Sequence, residues 1–156
     1  MVAPKTENSQ KNFFINGDVC TGCGLCELAC SVFKEGESNP SKARIRIERR
    51  MFDGLMISRL CRNCRDPACM KVCHRHAIEL DSVTGWVTIN EERCNNCTLC
   101  IAACPHHALS ISPEGNVLMC DLCGGEPKCV QFCATGAVQF VDRREGSQRI
   151  PGGITL

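Results

Sequence analysis

Residues Cys20 to Cys30 read C-T-G-C-G-L-C-E-L-A-C. Three thiols stand at positions i, i+3 and i+6, where a tight loop can turn them onto one face of a compact object. A fourth follows four residues later, one helical turn on. Outward from this stretch, the 16 cysteines of the 156-residue chain fall into four quartets with none left over. Cys20, Cys23, Cys26 and Cys30 are spaced C-x2-C-x2-C-x3-C, and Cys61, Cys64, Cys69 and Cys73 are spaced C-x2-C-x4-C-x3-C. Cys94, Cys97, Cys100 and Cys104 repeat the first spacing, and Cys120, Cys123, Cys129 and Cys133 repeat the second with one residue added in the middle gap. The halves therefore read as two unequal copies of a two-quartet unit, an internal duplication.

The first spacing, followed by proline, is that of two-cluster bacterial ferredoxins, in which the last cysteine serves the other cluster. Cys104-Pro105 completes it here. The expected cofactors are four 4Fe-4S clusters, with all sixteen cysteines as iron ligands. Zinc is the main rival, since C-x2-C knuckles also bind it, but usually as two knuckles a dozen or more residues apart. Three thiolates within seven residues would strand donors around a tetrahedral ion. Eight disulfides do not suit a chain that reads as cytosolic. A Rieske centre needs two histidines on one iron, whereas every quartet is complete without them.

Composition agrees. The hydrophobic share of 44% includes the 16 cysteines, and without them it falls to about a third. Six Phe, one Trp and no Tyr leave few large rings to fill an interior. Each oxidised cluster with its thiolates carries about −2, so four would fill the middle and carry the formal +1 to about −7. Folding is then expected to depend on cluster assembly. The N-terminus is polar, without an apolar leader core or twin arginine, and no apolar run reaches the ~18 residues of a membrane span. A cytoplasmic protein without a membrane span is expected. The near-neutral charge and the lack of an aromatic-interleaved basic platform argue against nucleic acid as a partner.

Between quartets the pattern is strand, turn, strand. Residues Ala77 to Leu80 and Gly85 to Ile89 flank one turn, and residues Ala108 to Ile111 and Val117 to Met119 flank another, so each predicts a hairpin. Residues Arg44 to Glu48 alternate polar and apolar as a half-buried strand does. Residues Glu27 to Lys34 and Leu99 to Cys104 allow about a turn or two of helix each. The predicted class is α+β: a small, loop-rich, tandem ferredoxin-like fold of two pseudo-symmetric two-cluster halves. It divides into an N-terminal tail over 1–12, the four-cluster domain over 13–142, and a C-terminal tail over 143–156.

The first motif, with Ser31 to Gly36 after it, and the second, Cys61 to Cys69 with Asp66-Pro67 in its gap, resemble those of the four-cluster ferredoxin-like subunits of molybdenum and tungsten oxidoreductases, formate dehydrogenases and some hydrogenases. The small iron–sulfur subunits of tungsten-dependent aldehyde oxidoreductases are the most similar in compactness. The resemblance implies a non-catalytic electron-transfer subunit, in an anaerobic metabolism, working in a hetero-oligomer with a catalytic oxidoreductase subunit and a second redox subunit, ferredoxin or flavoprotein. It also implies crossed ligation. One cluster would take Cys20, Cys23, Cys26 and Cys133, and its neighbour Cys120, Cys123, Cys129 and Cys30. The inner pair would take Cys61, Cys64, Cys69 with Cys104, and Cys94, Cys97, Cys100 with Cys73.

Many members of that group have proline after the last cysteine of a quartet. Here Ser31, His74 and Ala134 stand in three of the four places. His74 is a candidate donor to a cluster sulfur, against the plainer reading of a solvent-facing side chain, which also holds for His76, His106 and His107. The basic stretch Arg44, Arg46, Arg49, Arg50, Arg59, Arg62 and Arg65 reads first as a solvated face, with compensation of cluster charge or docking to an acidic partner as the alternatives. Trp86 reads as a hairpin core residue, and Gly22, Gly24, Gly124 and Gly125 as points where backbone approaches a cluster. No phosphate loop, dinucleotide fingerprint or nucleophile–base pair stands out. A free polyferredoxin and a zinc-bearing interaction module are the rival readings.

Overall fold

The computed structural model describes residues 11–50, 52–82 and 85–142. The expected tails fall outside these residues, apart from Lys11 and Asn12. Those two belong to strand β1 (Lys11–Ile15), which pairs antiparallel with β8 (Val138–Asp142) and sets Phe13 opposite Phe140. Three more two-stranded sheets complete the strand content of the described residues, giving a small mixed helix and strand fold.

Both expected hairpins form, as β4 (Ile78–Leu80) with β5 (Val87–Ile89) and β6 (Ser110–Ile111) with β7 (Val117–Leu118). The alternating stretch after Arg44 becomes β2 (Arg46–Arg50), which pairs with β3 (Leu55–Arg59). Helix α1 (Leu25–Glu35) is longer than expected, at eleven residues. It stops where Gly36 takes a left-handed φ of 72° and donates its N–H to the Val32 carbonyl, a glycine cap that lets the backbone turn away. Ser31, in the place of a proline, lies inside this helix and is fully buried; its hydroxyl donates to the Leu28 carbonyl and accepts from the Asn39 N–H. The remaining helices are single turns: α2 (Ala68–Lys71), α3 (Leu99–Ala103) and α4 (Lys128–Gln131). No helix among the described residues is long and apolar enough to cross a membrane.

Helix α1 packs on α4, and α2 on α3. Two hydrophobic cores follow. Phe13, Ile45, Ile47, Leu60, Trp86, Leu122 and Val138 surround Cys26, Cys30, Cys120 and Cys129. Ile78, Val87, Ala108, Leu109, Val117 and Met119 surround Cys100 and Cys104, with Cys69 and Cys73 against them. Packing thus joins the outer quartets to each other and the inner quartets to each other, with Cys61 of an inner quartet against both cores. The unit repeated in sequence is not the unit packed in space.

Candidate iron–sulfur sites

Each quartet opens on the same backbone bend. The second residue after the first cysteine is left-handed in all four: Gly22 (φ 67°), Asn63 (44°), Asn96 (55°) and Leu122 (63°). A left-handed residue there reverses the chain between two cysteines, so that both can point to the same side. Glycine and asparagine do this at low cost, whereas leucine does it against a penalty of ~1–2 kcal/mol. Leu122 is fully buried, and its packing in the outer core holds it there. A second bend follows the last cysteine by three residues in three quartets, at His76, His107 and Gly136.

The two asparagines do more than bend. Asn63 Oδ1 accepts the Val87 N–H at 3.1 Å while its Nδ2 donates to the Gly85 carbonyl at 3.3 Å. Asn96 Oδ1 accepts the Val117 N–H at 3.0 Å. In both inner quartets the loop is therefore tied to the second strand of the next hairpin. The repeated C-x-N-C carried this signal in the sequence. Asn63→Ala should cost about 2–4 kcal/mol, since it strands a buried Val87 N–H and puts alanine at a left-handed position. Anaerobic guanidinium unfolding would measure it, and an unchanged midpoint would show that the tie is not structural.

The thiols come together across quartets. The Cys26 thiol lies within electrostatic reach of Cys20 and of Cys133. Cys129 lies within electrostatic reach of Cys30, Cys123 and Cys26, and Cys120 within reach of Cys61, Cys129 and Cys30. Cys61 lies within electrostatic reach of Cys69, Cys64 and Cys104. Cys73 lines one cavity with Cys94, Cys97 and Cys100. Thiols of different quartets thus lie within electrostatic reach of one another, Cys120 with Cys61 and Cys129 with Cys26 among them.

Burial pushes Cys26 and Cys61 up to about 12 and Cys100 up to about 11, with neighbouring charges adding to the effect. Burial raises Cys120 and Cys129 as well. Cys133 is the exception: burial raises it, but the Val138 N–H and the Thr135 hydroxyl outweigh that and lower it. Buried sulfurs within electrostatic reach of one another repel as thiolates, so drawing them together as ligands needs a cation to hold their charges. Iron in a compact thiolate-bound cluster fits this donor chemistry. The last sulfur of each quartet also accepts a backbone N–H, from Arg44 at Cys30 (3.2 Å), Ala77 at Cys73 (3.3 Å), Ala108 at Cys104 (3.4 Å) and Val138 at Cys133 (3.3 Å). Three of these come from just beyond the second bend. Cys30 differs because α1 runs on through it, so its donor arrives from the chain after the helix.

His74, His76 and His107 are exposed and His106 is half-buried. At Cys73 the donor is the Ala77 N–H. The basic stretch is no plain solvated face. Arg44 pairs with Glu35, Arg49 with Glu27, and Arg50 and Arg59 with Glu48, while Arg62 donates to the Phe13 carbonyl at 2.8 Å. Trp86 is fully buried, as expected for a core residue.

Residues 52–143 match the sequence family of the 4Fe-4S dicluster domain. The polyferredoxin-like subunit of aliphatic sulfonate oxidoreductase from Pyrococcus furiosus is 42% identical over 120 residues, which cover 76% of this chain and 69% of that one. The B subunit of anaerobic dimethyl sulfoxide reductase from Escherichia coli K12 is 32% identical over 151 residues, covering 85% and 73%. Among solved structures, the active site complex BamBC of benzoyl coenzyme A reductase contains a chain that superposes with a TM-score of 0.52 at 26% identity, over 85% of this chain and 77% of that one. On the quartets, the fold and these matches together, the chain belongs to the 4Fe-4S dicluster domain family of ferredoxin-like iron–sulfur proteins.

Proposed function

We propose that this chain is the electron-transfer subunit of a cytoplasmic oxidoreductase complex, carrying four 4Fe-4S clusters and catalysing no substrate chemistry itself. The observation that supports the proposal is that thiols of successive proposed sets lie within electrostatic reach of each other, which would order the four clusters in a row. Cys26 acts on Cys129, Cys61 on Cys120, and Cys69 on Cys100, linking each proposed set to the next. The exposed cysteines are Cys23 and Cys97, in the first and last sets of the row. Such a row has a buried middle and two accessible ends, as a conduit between two partners requires.

Ligation follows the crossed scheme: Cys20, Cys23, Cys26 and Cys133; Cys120, Cys123, Cys129 and Cys30; Cys61, Cys64, Cys69 and Cys104; Cys94, Cys97, Cys100 and Cys73. The shared left-handed bends support two related two-cluster halves. A bound cluster takes up and returns one electron without making a bond to substrate. The chain's own contribution is to bury the sulfurs, donate N–H groups to them and leave no thiol unassigned, so no iron has a vacant position for substrate. One partner is a catalytic subunit. The motif resemblance points to the tungsten- or molybdenum-pterin aldehyde oxidoreductase type, and the relatives' names as oxidoreductase subunits support the broader class. The other partner is a second redox protein.

Anaerobically purified protein should contain about sixteen iron and sixteen sulfide per chain. About four zinc without sulfide would sink the proposal in favour of an interaction module. Cys133→Ser should disturb the same paramagnetic signal as Cys20→Ser, and Cys30→Ser the same one as Cys120→Ser. The opposite pairing would overturn the crossed scheme. A co-purifying subunit containing a pterin-bound metal would identify the catalytic partner, and its absence under gentle lysis would favour a free polyferredoxin.

A further inference from the structure

We propose that Arg49 is a positioning residue that, paired with Glu27, clamps the first-quartet loop, and that its charge raises the reduction potential of the one cluster held by Cys20, Cys23 and Cys26 while the Glu27 carboxylate lowers it. The proposal rests on the function proposed above and concerns how one end of the row is tuned.

Arg49 lies on β2, and its guanidinium reaches three parts of the chain. Nε donates to the Gly22 carbonyl at 2.6 Å, Nη2 to Glu27 Oε2 at 2.6 Å, and Nη1 to the Ile47 carbonyl at 3.1 Å. Glu27, on α1 and buried, also accepts the Ile47 N–H through Oε1 at 3.0 Å. The loop, the helix and the hairpin strand are thus fixed by one charged pair. The glycines of C-T-G-C-G make room for it. A Cβ on Gly24 would lie 3.0 Å from Arg49 Nη2 and 3.3 Å from Glu27 Oε2, and one on Gly22 would lie 3.0 Å from Met56 Sδ. Both glycines are left-handed, so the hairpin closes on backbone that no larger residue would suit.

The charge is also placed electrically. Arg49 acts on the Cys20 and Cys26 thiols, and Glu27 acts on Cys26. In the other loop of the same spacing, Cys94 to Cys100, Asn96 makes the tie to the neighbouring hairpin and carries no charge. The clamp is therefore specific to one end of the row. Reduction adds one electron, supplied for example by dithionite, and takes a cluster with its thiolates from about −2 to about −3 with no bond made or broken. A nearby cation favours the added electron and a nearby carboxylate opposes it. The arginine side chain is 38% exposed, so solvent screens part of its effect; the carboxylate is 10% exposed and is screened less.

The test is an anaerobic redox titration of the full chain, followed by electron paramagnetic resonance, with iron content measured alongside. Arg49→Gln should move one of four signals to more negative potential by about 59 mV, a tenfold change in its oxidised-to-reduced ratio. The other three should stay in place at full iron content. Glu27→Gln, which keeps the shape and the acceptor, should move the same signal the other way. Arg49→Lys, keeping the charge, should shift it less than Arg49→Gln. Where Arg49→Gln loses iron or fails to fold, Glu27→Gln and Arg49→Lys decide. Four unmoved midpoints in iron-replete variants, or shifts of the opposite sign, would overturn the clamp's electrostatic role. Wild-type protein lacking sulfide would instead sink the cluster reading itself.

Discussion

Stripping iron and sulfide from the purified protein is expected to unfold it, with loss of far-ultraviolet dichroism and of amide protection throughout. Among the described residues no helix except α1 exceeds five residues, and every sheet has two strands. Helices and hairpins of this size are marginal by themselves in water. The cores cannot make up the difference: Cys26, Cys30, Cys100, Cys104, Cys120 and Cys129 are among the buried apolar residues, so much of the interior is lined by ligands rather than filled by hydrocarbon. Structural metal sites can contribute ~10 kcal/mol or more to folding, which matches the whole ~5–15 kcal/mol stability of an ordinary domain. Four sites removed together should leave nothing cooperative to melt. Rebuilding the clusters with iron and sulfide under reducing conditions should restore the signal, and an iron-free chain that kept native dichroism and protection would refute the expectation.

The cysteine quartets and the two central hairpins were legible in the sequence because each is a local pattern: fixed spacings in one case, alternation around a turn in the other. What was not legible is non-local. Nothing near Phe13 says that it faces Phe140, and the β1–β8 pairing depends on distant strands meeting over the outer core. Residues Leu55 to Arg59 lack clean alternation and become a strand because β2 offers them an edge. The arginines looked like surface because their partners, Glu27, Glu35 and Glu48, become neighbours only once α1 and the β2–β3 hairpin are in place. Cysteine spacing likewise marks where ligands must sit but not how far a helix continues beyond them, which is why α1 outruns the length its motif predicts. Asn63 and Asn96 could have been found from their matched places in two quartets, although their targets on the hairpins could not.

Trp86→Ala is expected to cost about 3–5 kcal/mol, more than loss of the Asn63 tie. Trp86 precedes β5, next to the inner quartets in sequence, yet its ring is buried in the outer core. It meets Phe13 edge-on at 5.7 Å and Phe140 at 5.9 Å, across the β1–β8 strand pair. Its Nε1 donates to the carbonyl of Cys120 at 3.0 Å, on a loop that supplies outer thiols. One side chain therefore connects an inner hairpin, the β1–β8 sheet and a cysteine loop. Truncation to alanine would open a cavity among all three. Trp86→Phe would keep most of the packing but leave the Cys120 carbonyl without this donor, at about 1–3 kcal/mol. Anaerobic guanidinium titration, read by loss of visible cluster absorbance, should rank wild type above Trp86→Phe and Trp86→Ala last. Faster bleaching of the Cys20 and Cys120 signals than of the Cys61 and Cys94 signals should accompany it in both variants. Uniform bleaching would mean that the indole supports the fold in general rather than the outer thiol sets in particular.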